Sequence, residues 1–259
     1  MKRLIYGGVR PSNNEYVFDY TYDGPSDIIK TCPPKLYKSQ FGNNIYWFGY
    51  KFEDNTSSKE RSKFINYIKG IDEDNTISDS ELTKFIELPL KGLEDNIGLF
   101  NLDCFVYPIS NRSELVTKII SVINRYTSHD LPRLNFELVK SAPKDVEFDW
   151  DSFESEYGDD LNTYTQMKKY IEDVILPKIH SQDYFSIAKS VKPKYRKYIK
   201  NYLNLDSDQS EKLKSLNGKN ILIVDDINTS GATLDEILRI IKSINDSCNI
   251  FIYTLIGNL

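Results

Sequence analysis

Cysteine and histidine are scarce in this 259-residue chain, which has only Cys32, Cys104, Cys248, His129 and His180. No CxxC pair or Cys/His cluster occurs, which argues against a disulfide framework or a structural zinc site. Reduced thiols in the cytoplasm are the expectation. Long apolar runs are also missing. Nothing reaches the ~18 residues of a membrane helix, and the start, MKRLIYGGVRPS, lacks the apolar core of a signal peptide. No membrane association is expected. Nor is there an excess of positive charge: 33 basic against 38 acidic residues leave a net charge of −5. The protein as a whole is therefore not a polyanion binder, and any phosphate site must rest on a local arrangement. No repeat of 20–50 residues is visible. Neither a GxxxxGK[ST] stretch nor a GxGxxG after a strand is present, which removes the Walker and dinucleotide loops.

Aromatic residues are plentiful, with 18 Tyr and 13 Phe, and 40% of the chain is apolar. That is enough to bury a core. EYVFDYTYDG, 15–24, places aromatics two apart, the period of a strand. IYWFGYKF, 45–52, reads as another strand. KERSKFINYIK, 59–69, reads as a helix, and ELTKFIEL, 81–88, as a helix ended by Pro89. Together these describe an N-terminal β-rich lobe over residues 1–95.

The pattern then changes. LDCFVYP, 102–108, is a compact strand. Leu115, Ile119, Val122 and Tyr126 recur at helical spacing, and NFELVK, 135–140, is a second strand. Strand–helix–strand alternation is the mark of a parallel α/β sheet. Residues 145–160 hold eight acidic residues and read as a solvated loop. LNTYTQMKKYIEDVIL, 161–176, reads as a helix stopped by Pro177. Residues 189–200 hold six basic residues. They read as a solvated helix face, with a cover over bound phosphates as the alternative. The expected fold class is α/β: a parallel sheet flanked by helices over 96–259, with an insertion at about 141–190, beside the N-terminal lobe.

The chemistry concentrates in ILIVDDINTSGAT, 221–233. An apolar strand runs through two carboxylates into a tight turn, and the turn opens the amphipathic helix LDEILRIIKSIN. A helix N-terminus presents unpaired N–H groups and a positive dipole end to an anion. Gly231 lets the backbone approach closely, and Thr229, Ser230 and Thr233 add hydroxyls. The turn is thus a cradle for a monophosphate. Asp225 and Asp226 stand at the carboxyl end of the strand, where ligands bind in open α/β sheets. Beside a phosphate they must face something else, such as a ribose diol or a hydrated cation. Cradle and acid pair together specify a sugar phosphate.

VDDINTSGAT resembles the phosphoribosyl pyrophosphate signature of type I phosphoribosyltransferases, closest to the ComF-like, competence-associated branch with its D-D-hydrophobic-x-T-T-G-A-T pattern. Ser230 replaces the second Thr and keeps the hydroxyl. The resemblance implies a magnesium-dependent transferase that moves 5-phosphoribosyl from phosphoribosyl pyrophosphate to a nitrogen acceptor, releasing pyrophosphate. It implies that Asp225 and Asp226 hold the ribose hydroxyls and, through water, Mg2+. Asn228, Thr229, Ser230, Gly231, Ala232 and Thr233 would bind the 5′-phosphate. By position, Ile109, Ser110, Asn111 and Arg112 would form the pyrophosphate loop. Lys140 matches a basic residue of that branch and is the third candidate catalytic residue. Thr229 stands where 6-oxopurine enzymes usually carry an acid, which argues against hypoxanthine or guanine as acceptor. One strand follows the phosphate helix, so an acceptor-recognising hood is expected from the N-terminal lobe or the 141–200 region. Dimers are common in the resembled family, and a homodimer is the matching expectation. The alternative is a non-catalytic module of the same fold: a regulator that binds a nucleotide or phosphoribosyl pyrophosphate, or an accessory protein in DNA uptake or phage defence.

Overall fold

The computed structural model describes residues 8–12, 15–19, 29–31, 35–39, 42–71, 77–97, 102–110, 113–126, 133–183 and 185–257. Strands are β1 (Gly8–Ser12), β2 (Glu15–Asp19), β3 (Ile29–Thr31), β4 (Lys35–Ser39), β5 (Gly42–Phe52), β6 (Cys104–Pro108), β7 (Leu134–Lys140), β8 (Glu147–Phe148), β9 (Ile199–Lys200), β10 (Leu203–Asn204), β11 (Asn220–Asn228) and β12 (Asn249–Gly257). Helices are α1 (Ser58–Ile68), α2 (Asp79–Ile97), α3 (Leu115–Tyr126), α4 (Trp150–Tyr157), α5 (Leu161–Tyr170), α6 (Leu176–His180), α7 (Ile187–Ser190), α8 (Pro193–Arg196), α9 (Ser207–Lys214) and α10 (Ala232–Ile244).

The main sheet runs β10-β7-β6-β11-β12-β5-β3, with β4 also paired to β5. Its middle is parallel: β7, β6, β11, β12 and β5 all point one way. The flanking strands β10, β3 and β4 are antiparallel. The expected parallel α/β class is therefore observed. Residues on both sides of position 95 contribute to this one sheet, because β5 pairs with β12 over Ile45–Lys51.

Alternation along the strands feeds two cores, one per face. Ile221 and Ile223 of β11 join Leu234, Ile237 and Ile241 of α10 on one face. Leu222 and Val224 join Ile119 and Ile123 of α3 and Phe64 of α1 on the other.

Two prolines do not act as stops. Pro89 lies inside α2. A proline removes the N–H that would bond the carbonyl four residues back; here that carbonyl, on Phe85, accepts from the Tyr50 hydroxyl at 2.8 Å. The two rings stack at 4.2 Å. Gly49 makes the room, since a Cβ there would sit 2.8 Å from the Pro89 ring. Pro177 likewise lies inside a continuing helix, at the second position of α6. Ile171–Ile175 forms a π-helical turn, and the Leu176 N–H donates five residues back to Ile171. Widening the turn before the proline keeps the chain helical.

The acidic run is also not a loop. It folds as β8 and α4, with Val146, Phe148 and Phe153 buried. Its carboxylates meet the basic run: Lys200 pairs with Asp149 at 2.5 Å, and the Lys197 Nζ donates to Glu156 at 2.7 Å. Residues 20–24, the end of the first aromatic segment, lie outside the described residues.

Candidate functional site

In chain order β6 is followed leftward by β7, whereas β11 and β12 lie to its right. The direction of winding reverses between β6 and β11, and the crevice at the carboxyl ends of two such strands is where open α/β sheets bind ligands. Pairing between these strands ends at Ile223↔Val106, so β11 continues past it with that edge free of β6. Asp225 and Asp226 stand on this extension, 6% and 7% exposed.

Successive residues of a strand face opposite sides. Asp226 meets the ammonium of Lys69, at the end of α1, with Oδ2 2.6 Å from Nζ. Asp225 lies with the other face, where its charge acts on Tyr46 and Tyr202, and its Oδ1 accepts from the Asp226 N–H at 2.8 Å. Burial, then the charge of Asp226, push the Asp225 carboxyl up to about 8, with Lys69 opposing. Asp225 is short of positive charge even with Lys69 in place.

Lys69 is held by the way α1 ends. Gly70, at φ 63°, donates to the Tyr67 carbonyl, and Ile71 donates to Asn66. These two bonds and the left-handed glycine form a Schellman motif. Lys69 also lines a cleft of about 420 Å³ with Gly70, Ser113, Glu114, Leu115 and Lys118. That cleft lies between the ends of α1, α2 and α3, and Lys69 is the lining residue that bonds Asp226.

The turn after β11 has the geometry of a cradle. Gly231 adopts φ 76° and caps α10. The first helical bond runs from the Asp235 N–H to the Gly231 carbonyl, 2.8 Å. The amides of Ala232, Thr233 and Leu234 precede it and have no partner one turn back within the helix. Asn228 fixes the turn: its Oδ1 accepts from the Gly231 N–H at 2.8 Å. Thr229 and Ser230 are exposed, and Thr233 is half-buried. Beneath the turn, Glu236 is buried and accepts twice from Arg239, at 2.8 and 2.9 Å. Tyr202 lies against this group, held neutral first by burial and then by the Glu236 charge.

The candidate residues 225, 226 and 228–233 thus come together. Ile109 and Ser110 follow β6 into the same crevice, and the Ile109 N–H still donates to Leu138, at 2.8 Å. Asn111 and Arg112 lie outside the described residues. Lys140 ends β7 and is exposed. It lines a different cleft, with Lys144, Asn201, Leu203, Arg239 and Ser243, which includes none of residues 225–233. Sequence reasoning missed Lys69 and Tyr46. The only local signal for Lys69 is the Lys-Gly pair at a helix end. Tyr46 stands inside an aromatic strand where nothing sets it apart.

Against this geometry, residues 185–258 match the family of phosphoribosyl transferase domains. The matched stretch spans β9, β10, β11, the phosphate turn, α10 and the whole of the last strand. It supports the type I phosphoribosyltransferase family, with phosphoribosyl transfer as the general chemistry and phosphoribosyl pyrophosphate as the ligand that such a domain implies. No curated protein matches the chain. Among the described residues, no helix is long and apolar enough to cross a membrane.

Proposed function

We propose that this chain is a cytoplasmic phosphoribosyltransferase of the ComF-like branch that transfers 5-phosphoribosyl to a nitrogen acceptor other than a 6-oxopurine. The observation that carries the reading is the joining of a buried acid pair to a preformed anion cradle at the sheet's switch point. The first amides of α10, which have no acceptor one turn back in the helix, suit the 5′-phosphate. Asp225 and Asp226, at the strand end, suit the ribose hydroxyls. The start of the loop after β6, Ile109 and Ser110, flanks the place of the diphosphate.

In the reaction, the acceptor nitrogen forms a bond to C1 of the ribose. The C1–O bond to pyrophosphate breaks, pyrophosphate leaves with the electron pair, and the nitrogen loses a proton. Most of the rate then comes from positioning and from charges set in place beforehand. The chain's part is to grip the phosphate, fix the sugar and keep positive charge near the leaving group, where the ammonium of Lys69 bonds Asp226.

Magnesium fits this donor set. Two buried carboxylates, of which Asp225 lacks full compensation, favour a ligand that brings a cation. No group of three or more His, Cys, Asp and Glu among the described residues can cage a metal, so the pair would hold it through water alongside the ligand's own oxygens. When bound it would supply positive charge to the departing diphosphate.

A second reading, a binding module of the same fold, draws on the Lys69–Asp226 ion pair, which engages one of the two acids without any ligand. Calorimetry with phosphoribosyl pyrophosphate and magnesium tests the first step. Binding by the wild type and a loss of ~10-fold or more in Asp226→Asn, the scale of one charge-assisted contact, support the reading. No binding by the wild type sinks it. Pyrophosphate release against a panel of bases then separates transferase from regulator.

A further inference from the structure

The phosphate turn is held by a residue far outside the matched domain. Asn228 ends β11 and is 4% exposed. Its carboxamide has a fixed orientation: Oδ1 accepts from the Gly231 N–H, so Nδ2 must face the other way. There Nδ2 donates to the Tyr46 hydroxyl oxygen at 3.2 Å. The same hydroxyl bonds the Thr254 Oγ1, 2.7 Å away, where either oxygen can donate. Burial keeps the Tyr46 hydroxyl protonated, pushed up to about 12. Three neighbouring strands, β5, β12 and β11, each supply one member of the chain. Gly257 leaves space for it, since a Cβ there would lie 2.6 Å from the Tyr46 hydroxyl.

The direction of this relay matters for the site. Gly231 sits at φ 76°, and its conformation aims the amides of 232–234. Asn228 holds Gly231, and Tyr46 holds Asn228. With Tyr46 unable to accept, the buried Nδ2 loses its partner, and rotating the carboxamide to recover one releases the Gly231 amide.

We propose that Tyr46 is a positioning residue of the phosphate cradle, with Thr254 as its anchor, so that the N-terminal strand is part of the donor site. The inference rests on the phosphate reading above. The probe is ribose 5-phosphate, titrated by calorimetry into the full chain. Tyr46→Phe is expected to weaken binding about 3- to 10-fold, the scale of one lost buried hydrogen bond. Tyr50→Phe, on the same strand but bonded to Phe85 instead, serves as the control for general destabilisation and is expected to leave affinity unchanged. Tyr46→Phe added to Asn228→Ala should have no further effect, because the relay is already cut. Thr254→Val should weaken binding in the same direction, and Thr254→Ser should restore it; this pair carries the test if Tyr46→Phe does not fold. Wild-type binding with unchanged affinity in Tyr46→Phe and Thr254→Val overturns the proposal and leaves the phosphate reading standing. Equal losses in Tyr46→Phe and Tyr50→Phe overturn it too. Failure of the wild type to bind removes the phosphate reading itself.

Discussion

The two walls of the crevice are built by opposite means. One wall is a single stretch, residues 225–233, in which strand, acid pair, turn and helix start follow each other without interruption. The other gathers Lys69 from the end of α1, bonded to Asp226, and Ile109 and Ser110 from the end of β6. The continuous wall carries its own geometry, because an Asn, a left-handed glycine and a helix N-terminus at fixed spacing allow few alternatives. The assembled wall depends on the sheet placing distant segments side by side. Its chemistry is set by packing rather than by spacing.

This contrast orders the expected effects. The largest should come from the pivot of the continuous wall. Gly231→Val puts a β-branched residue at φ 76°, where side chains other than glycine are strained by ~1–3 kcal/mol. The turn then either opens or carries that strain. Either way the amides of 232–234 lose their common aim. Affinity for ribose 5-phosphate should fall by ~100-fold, on the scale of strain plus one lost hydrogen bond. Calorimetry at constant ionic strength checks this. A loss of less than ~3-fold, under one hydrogen bond's worth, would show that the phosphate is held elsewhere.

How much of this was legible from sequence follows the same division. ILIVDDINTSGAT could be read because every part of it is local. The acid pair was read as one unit, yet the structure gives its members to opposite faces, with Lys69 on one side and Tyr46 and Tyr202 on the other. A strand's period of two contains that information, but the identity of the neighbours does not follow from it. The prolines were misread for a related reason. Pro89 looks like a stop until Tyr50, 39 positions earlier, is known to satisfy the freed Phe85 carbonyl. The acidic and basic runs each look solvated alone, and only the pairing of β8 with β9 brings Asp149 to Lys200.

An intermediate effect is expected from pH. The Asp225 carboxyl is pushed up to about 8, by burial first and by Asp226 second. The unfolded chain releases that proton near pH 4. Between these values the folded protein binds more protons than the unfolded one, so stability falls as pH rises through the window and the loss is complete above about 8. Asp225→Asn removes the penalty. Its melting temperature should exceed that of the wild type at pH 8.5 and converge on it near pH 4, while ligand affinity drops. Equal melting temperatures at both pH values would mean that the acid pair carries no charging cost. The continuous wall would then be relaxed rather than strained for function.

The smallest effect sharpens the comparison from its other side. Lys69 and Lys140 are both lysines from outside the motif, and each ends a regular element. Lys69 touches Asp226; Lys140 is exposed in a cleft that shares no residue with 225–233. If the assembled wall acts through contact with the acid pair, the two must differ. Lys69→Met strips the pair of its ammonium, so Asp225 holds its proton to higher pH. Binding that needs Asp225 ionised should then shift its pH dependence upward. Lys140→Ala should change affinity for phosphoribosyl pyrophosphate with magnesium by no more than roughly 2-fold, the range of a surface substitution. Titrations of both variants at pH 6, 7 and 8 decide the matter. A larger loss in Lys140→Ala than in Lys69→Met would place the second wall at the end of β7, across β6 from the acid pair, and would restore Lys140 to the catalytic role that its resemblance implies.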